Sequence, residues 1–208
     1  MQALQQNRKF KLRVHYKKIG RAAWLSQLEL ARALEHAVRR AGLKYAVSEG
    51  FSPHMRISFA QALSVGIESE DNVFDILLTD YVAPEKCLTA LKAGSLDCLE
   101  PFSCYYVDNK AKFDIEDVSE YSVELGCNLD FVKVPKDIKV LKKRKEKVFE
   151  VSHFLDGEVN VENKNATCVL NFRLRNYEDG SLNPDLFLRE LLVFNELTNK
   201  LIINFKKL

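Results

Sequence analysis

Paired cysteines are missing from this chain. Its five cysteines, Cys87, Cys98, Cys104, Cys127 and Cys168, are odd in number and contain no CxxC, which argues against a disulfide framework or zinc ribbon. They read as reduced core thiols of a cytoplasmic protein. Cys98 and Cys104 flank Pro101, but no histidine stands at ligand spacing, so no metal is expected. Long apolar runs are missing too. None approaches the roughly 18 residues of a membrane span, and no secretory leader precedes the first strand, so no membrane partner is expected. Charge of one sign is also lacking: 31 Lys and Arg stand against 29 Asp and Glu, a net +2. Any anion site must therefore be local. GxSxG, Walker, GxGxxG and HExxH motifs are absent, which leaves no self-sufficient catalytic constellation and no expected cofactor.

What is present concentrates between Trp24 and Ser58. Ser26 followed by Glu29 forms a capping box, with Leu25 and Leu30 at the spacing of a hydrophobic staple, and Gly42 ends the periodic run. A helix over 27–41 follows. Leu30, Leu34, Ala37, Val38 and Ala41 make its buried stripe, and Arg32, His36, Arg39 and Arg40 recur on another side as a cationic ridge. Glu29 and Glu35 are the partners that would reduce this ridge to solvated surface pairs.

Before the helix, FKLRVHYK alternates cleanly. Phe10, Leu12, Val14 and Tyr16 share one face of a half-buried strand, and Lys11, Arg13, His15 and Lys17 share the other. This open face suits phosphates unless carboxylates of a neighbouring strand, Asp71 and Asp75 among them, sit opposite. After the helix comes the turn Gly50 to His54, in which Pro53 stiffens the chain and His54 is presented beside Arg56. His15, His36 and His54 lack the spacing of a metal set. Trp24 and Phe51 are candidate stacking side chains. The run Lys142, Lys143, Arg144, Lys145, Glu146, Lys147 is the densest charge cluster, a solvated edge or a second phosphate patch.

The remaining elements follow in an order of strand, helix, strand, strand, helix, strand up to Val107, with strands near 73–79 and 99–107 and a helix over 85–93 opened by Pro84. That order predicts an α+β fold with a ferredoxin-like, split βαβ N-terminal half over 1–108. Asp108 to Asp117 reads as a linker. Residues 118–208 predict a second α+β domain, itself a degenerate ferredoxin-like copy. Its expected strands lie near 120–125, 148–155, 167–175 and 200–205, with helices over 135–141 and 184–192, the latter capped by Asn183 and Pro184.

The string YKKIGRAAWLSQLELARALEHAVRRAGLKYAVSEGFSPHMRISFAQALSVGIESE resembles the radical-SAM-linked protein family, a bacterial domain of unknown function found alone or appended to a radical S-adenosylmethionine protein. Gly20, Leu25 to Leu30, Arg39, Arg40, Gly50, Phe51, Pro53, His54, Ile57 to Ala60, Leu63, Gly66, Glu68 and Ser69 carry the resemblance. Gln27 stands where the family commonly has histidine, and Met55 replaces a second proline. The chain lacks the CxxxCxxC cluster motif, so the resemblance implies the linked partner and not the radical SAM enzyme.

Three functions are open at this level. The first is a non-catalytic RNA-binding or substrate-presenting partner of a radical SAM protein acting on transfer or ribosomal RNA. Arg13, His15, Arg32, Arg39, Arg40, His54 and Arg56 would then contact phosphate, and Trp24 or Phe51 would stack. The second is a metal-independent endoribonuclease resembling CRISPR repeat-processing enzymes, with His54 or His15 as acid or base. The third is a protein-interaction adaptor with no nucleic-acid role. The first requires that the cations meet on one surface without being cancelled by carboxylates.

Overall fold

The computed structural model describes residues 9–114, 116–142, 145–177 and 180–208. The chain is α+β and divides into two compact units, Met1–Asp114 and Ile115–Leu208.

The first unit starts with strand β1 (Phe10–Lys18), a 3-10 turn (Gly20–Trp24) and helix α1 (Gln27–Arg40). Strands β2 (Ile57–Phe59) and β3 (Glu68–Leu78), helix α2 (Pro84–Gly94) and strand β4 (Pro101–Val107) complete it. β1 lies between β4 and β3, β2 pairs with the far edge of β3, and all these pairings are antiparallel. The alternation along β1 sends Leu12, Val14 and Tyr16 into the core with Phe74, Ile76 and Leu78 of β3. Leu30, Leu34 and Val38 of α1 and Cys87 and Leu91 of α2 close that core from above. Both helices therefore cover one face of the sheet, and Lys11, Arg13, His15 and Lys17 belong to the other.

Local chemistry explains α1 well. Ser26 Oγ accepts from the Glu29 amide at 3.4 Å, and Glu29 Oε2 accepts from the Ser26 amide at 2.9 Å, closing the expected capping box. Past the C-cap Ala41, Gly42 turns the chain with φ of +69°, a conformation that suits a residue without Cβ. α1 and α2 meet where Gly94 ends α2. A Cβ built there would lie 2.6 Å from the Ala37 carbonyl oxygen and 3.1 Å from the Ala41 nitrogen. Arg40 Nε donates to the Gly94 carbonyl at 2.7 Å, satisfying an acceptor that the end of α2 leaves open.

The second unit contains β5 (Val118–Leu125), a hairpin of β6 (Asp137–Lys142) and β7 (Lys145–Glu150), and the single helical turn α3 (Val151–Phe154). Strands β8 (Asn160–Lys164) and β9 (Thr167–Arg175), helix α4 (Pro184–Phe194) and strand β10 (Ile202–Lys207) follow. Its sheet order is β10-β5-β9-β8, again with the unit's first strand between its last and a later one. Tyr121 and Phe172 stack at 5.4 Å, Phe187 of α4 lies 4.9 Å from Phe172, and Leu170, Leu188 and Leu191 are buried with them.

Two expectations for this unit change, and one strand is unforeseen. The helix over 135–141 is instead β6: Ile138 lies opposite Phe149 and is fully buried, and its alternation with the β-branched Val140 suits a hairpin strand. The strand expected over 148–155 stops at Glu150, where the chain takes the turn α3 and the Val151 amide donates to the Lys136 carbonyl at 2.9 Å. β8 goes unforeseen because Val161 is its only apolar residue. It is held by pairing with β9 across a turn in which Asn165 has φ of +55°.

Gly94→Ala is expected to lower unfolding stability by roughly 1–3 kcal/mol in urea titrations, since the helices must separate to admit the methyl group. Ser26→Ala should cost about 1 kcal/mol. The bonds from Ser26 hold the Glu29 carboxyl below its ordinary 4.5. Their contribution is thus full above pH 4.5 and vanishes as pH falls through the lowered value. The gap between wild type and Ser26→Ala should narrow on acidification without closing, because the Glu29 amide donates to Ser26 Oγ at any pH.

Candidate functional site

The outer face of β1 is built of ion pairs. Antiparallel register sets Arg13 opposite Asp75, and the guanidinium meets the carboxylate through two bonds, Nε to Oδ1 at 2.9 Å and Nη2 to Oδ2 at 3.1 Å. Lys11 Nζ lies 3.8 Å from the same carboxylate, His15 Nδ1 lies 2.8 Å from Asp71, and Lys17 reaches Glu70 at 3.0 Å. Three carboxylates thus serve four basic residues, Asp75 serving two.

The segment expected to be a linker folds back over this face. Lys11 Nζ donates to the Ala111 carbonyl at 2.8 Å, Arg13 Nη2 donates to the Lys112 carbonyl at 2.9 Å, and the Phe113 ring sits 4.7 Å from the guanidinium carbon. Arg13 is left 5% exposed and Asp75 2%. The hydrogen bond to Asp75 outweighs burial and raises the Arg13 pKa, so the cation is held charged. Arg13 is accordingly a buried structural ion and not the solvent-facing phosphate contact that alternation predicts. His15 keeps some exposure between Tyr105, stacked at 5.8 Å, and Phe102 at 5.9 Å.

On the opposite side of the sheet, the α1 ridge is exposed but not uniform. Arg39 Nη2 pairs with Glu35 at 3.3 Å, and its Nε donates to Tyr45 Oη at 3.3 Å, the larger cause of its raised pKa. Arg40 is spent on Gly94, as described above. Arg32 and His36 are exposed and make no ion pair among the described residues. Trp24, at the end of the 3-10 turn, is 72% exposed, and Leu28 one turn later is exposed with it.

The third candidate is the loop from Ser48 to His54. The Ser48 amide donates to the His54 carbonyl at 2.8 Å, the His54 amide donates to Ser48 Oγ at 3.0 Å, and Val47 bridges Met55. This narrow base projects a tip on which Phe51 is fully exposed and His54 Nε2 lies 3.4 Å from Ser52 Oγ. Arg56 follows, exposed and without an ion pair among the described residues. It stands opposite Leu77 in the β2 register, so it shares the outer face with Asp75 and Arg13.

With these elements in view, a protein-family comparison reaches from β1 to the first residue of α4. The chain belongs to the family described as "Uncharacterized protein conserved in bacteria (DUF2344)", whose model matches residues 11–184. No curated protein matches the chain. The DUF2344 match includes every candidate site residue on both faces of the first unit.

The candidates do not converge on one pocket. Arg13, His15 and Arg56 lie on the outer face, whereas Trp24, Arg32, Arg39 and Arg40 lie on the helix side. His54 sits beyond the sheet edge. His15 pairs with Val73 of β3 while the His54 loop leaves the sheet at Leu77, a separation along the strand of roughly 13 Å. Among the described residues no group of three or more His, Cys, Asp or Glu side chains is placed to hold a metal, and no helix is long and apolar enough to cross a membrane. Of the basic run from Lys142, Lys143 and Arg144 lie outside the described residues. Lys147 stands 4.5 Å over the Phe149 ring.

Lys18 was not singled out by sequence reasoning, although it extends the stripe of Leu12, Val14 and Tyr16 and is fully buried. Phe102 and Tyr105, which flank His15, were likewise hidden, because only the β1–β4 register reveals the contact.

Asp75→Ala leaves the Arg13 charge buried without its partner and is expected to cost about 3–5 kcal/mol in denaturant unfolding. Replacing both, Arg13→Met with Asp75→Leu, should recover most of that loss.

Proposed function

We propose that this chain is a non-catalytic RNA-binding or substrate-presenting partner of a radical SAM protein, acting in RNA modification or translation. The observation that carries the reading is Phe51. A phenyl ring fully exposed on a loop closed by two Ser48–His54 bonds forgoes burial in its own fold, and an aromatic face offered to solvent on a fixed support suits stacking on an unpaired base. Arg56 and His54 flank it as phosphate contacts, and Trp24 with Arg32 offers a similar aromatic and cationic pairing on the helix side. Phosphate contacts of this kind position RNA without reading its sequence. Arg13 is left out of the reading because Asp75 and Phe113 occupy it.

The strand orders β4-β1-β3-β2 and β10-β5-β9-β8 support reading the first unit as ferredoxin-like and the second as a degenerate version. In the second, the β6–β7 hairpin and α3 stand where the first crossover helix would be. The radical SAM partner is supported by the resemblance of the stretch from Tyr16 to Glu70.

Fluorescence anisotropy of labelled single-stranded tRNA and rRNA fragments tests the proposal. Binding at low salt should weaken as salt is added, and Phe51→Ala should weaken it roughly 5- to 150-fold, the equivalent of about 1–3 kcal/mol per stacked base. An absence of salt-sensitive binding, or a Phe51→Ala protein that binds like wild type, overturns it.

A further inference from the structure

Strand β8 is an edge of the second unit's sheet. β9 pairs with one side of it, and no described strand pairs with the other. The turn at its end sets which backbone groups face outward. Lys164 opposite Thr167 closes a two-residue hairpin loop, so Lys164, Glu162 and Asn160 exchange backbone bonds with β9. Val161 and Asn163 then turn their amides and carbonyls to the open side. Among the described residues these outward groups bond to no other backbone group.

The segment 129–134 runs beside this edge without pairing to it. Asn163 holds one end through its side chain: Oδ1 accepts from the Leu129 amide at 3.0 Å, and Nδ2 donates to the Leu129 carbonyl at 2.8 Å. Asn195, the C-cap of α4, holds the other end in the same way. Its side chain accepts from the Lys133 amide and donates to the Lys133 carbonyl, each at 2.8 Å. Two asparagine side chains thus fix the segment where a ladder to β8 could have done so, and a gap stays open between them.

That gap is a cavity of about 540 Å³, within the several hundred Å³ typical of ligand sites. Phe131, Val132 and Val134 line it from the segment, and Leu155, Val159 and Val161 line it from β8 and the chain leading into it. Asp130 and Glu158 stand in the same lining, and neither makes an ion pair among the described residues.

The lining therefore combines open backbone groups of a strand, an apolar wall and two uncompensated carboxylates. A compact apolar ligand would leave the backbone groups unmet. A helix uses its own backbone groups internally and cannot continue a sheet. Nucleic acid would bring phosphates against Asp130 and Glu158. An extended peptide answers all three features: its main chain continues the ladder, and its alternate side chains meet the apolar wall and the carboxylates.

We infer that the gap between β8 and segment 129–134 receives an extended segment of a partner protein in which apolar and basic residues alternate, added to the sheet as a further strand. The site belongs to the second unit and does not draw on the Phe51 loop, so a failure of RNA binding leaves it standing.

Titration of the full chain with a short fluorescent peptide of alternating Val and Lys, read by anisotropy, tests the inference. Saturable binding is expected, weakened about tenfold or more when Glu replaces every Lys of the peptide, and lost when alternate peptide nitrogens are methylated and the ladder donors removed. Val161→Pro deletes an outward amide and spares the bonds to β9, as an edge strand allows. It should bind roughly 3- to 10-fold more weakly while its thermal transition stays cooperative. Glu158→Lys alters an exposed side chain and should narrow the preference for the Lys peptide over the Glu peptide, a readout that holds even where the proline variant does not fold. No saturable binding, equal binding of the methylated peptide, or an unchanged preference in Glu158→Lys would overturn the inference. So would a dimer in sedimentation that Val161→Pro returns to monomer, because a second copy would then be the occupant.

Discussion

Arg13 and Asp75 constrain everything that the first unit can offer to a ligand. Their two-bond pairing joins the middle of β1 to the middle of β3, at a point where both side chains are almost wholly removed from water. A buried ion pair is tolerated only when its remaining donors are also met. Here the Lys112 carbonyl accepts one more of them, and the Phe113 ring packs beside the guanidinium. One consequence is a covered outer face, since residues following β4 must cross β1 to complete the cage. Another is fixed register, because a one-residue slip would turn Arg13 into the hydrocarbon core beneath α1.

Much of this architecture was legible in the chain itself. α1 announces its start through Ser26 and Glu29 and its end through Gly42, and β1 announces its two faces by strict alternation; both signals are local, so no knowledge of distant residues is needed. The partner of Arg13 is different in kind. Asp75 is 62 positions away, and nothing near Arg13 distinguishes a cation awaiting phosphate from one already claimed. The run around Ile138 and Val140 was misread because six or seven residues fit helical and extended periods about equally well, and only the opposing Phe149 decides. β8 carries almost no side-chain signal, since its pairing is made by backbone groups that every sequence possesses.

The functional surface follows from subtraction. Once Arg13, Lys17, Arg39 and Arg40 are assigned to Asp75, Glu70, Glu35 and Gly94, the candidate arginines without an ion pair among the described residues are Arg32 and Arg56, and they lie in separate places. Arg32 stands on the helix side and Arg56 on the outer side. Among the described residues the ring of Phe51 is the most exposed large apolar side chain, which is why that loop, and not the basic strand, carries the functional reading.

Gly94 shows how little chemistry a decisive position can have. The crossing of α1 and α2 is set by a hydrogen atom where every other amino acid would place carbon, and the same residue's carbonyl receives Arg40. Spacer and acceptor are therefore inherited together. A lineage that lost this glycine would have to widen the gap between the helices and re-aim an arginine in the same step, which makes the site a narrow gate for sequence drift.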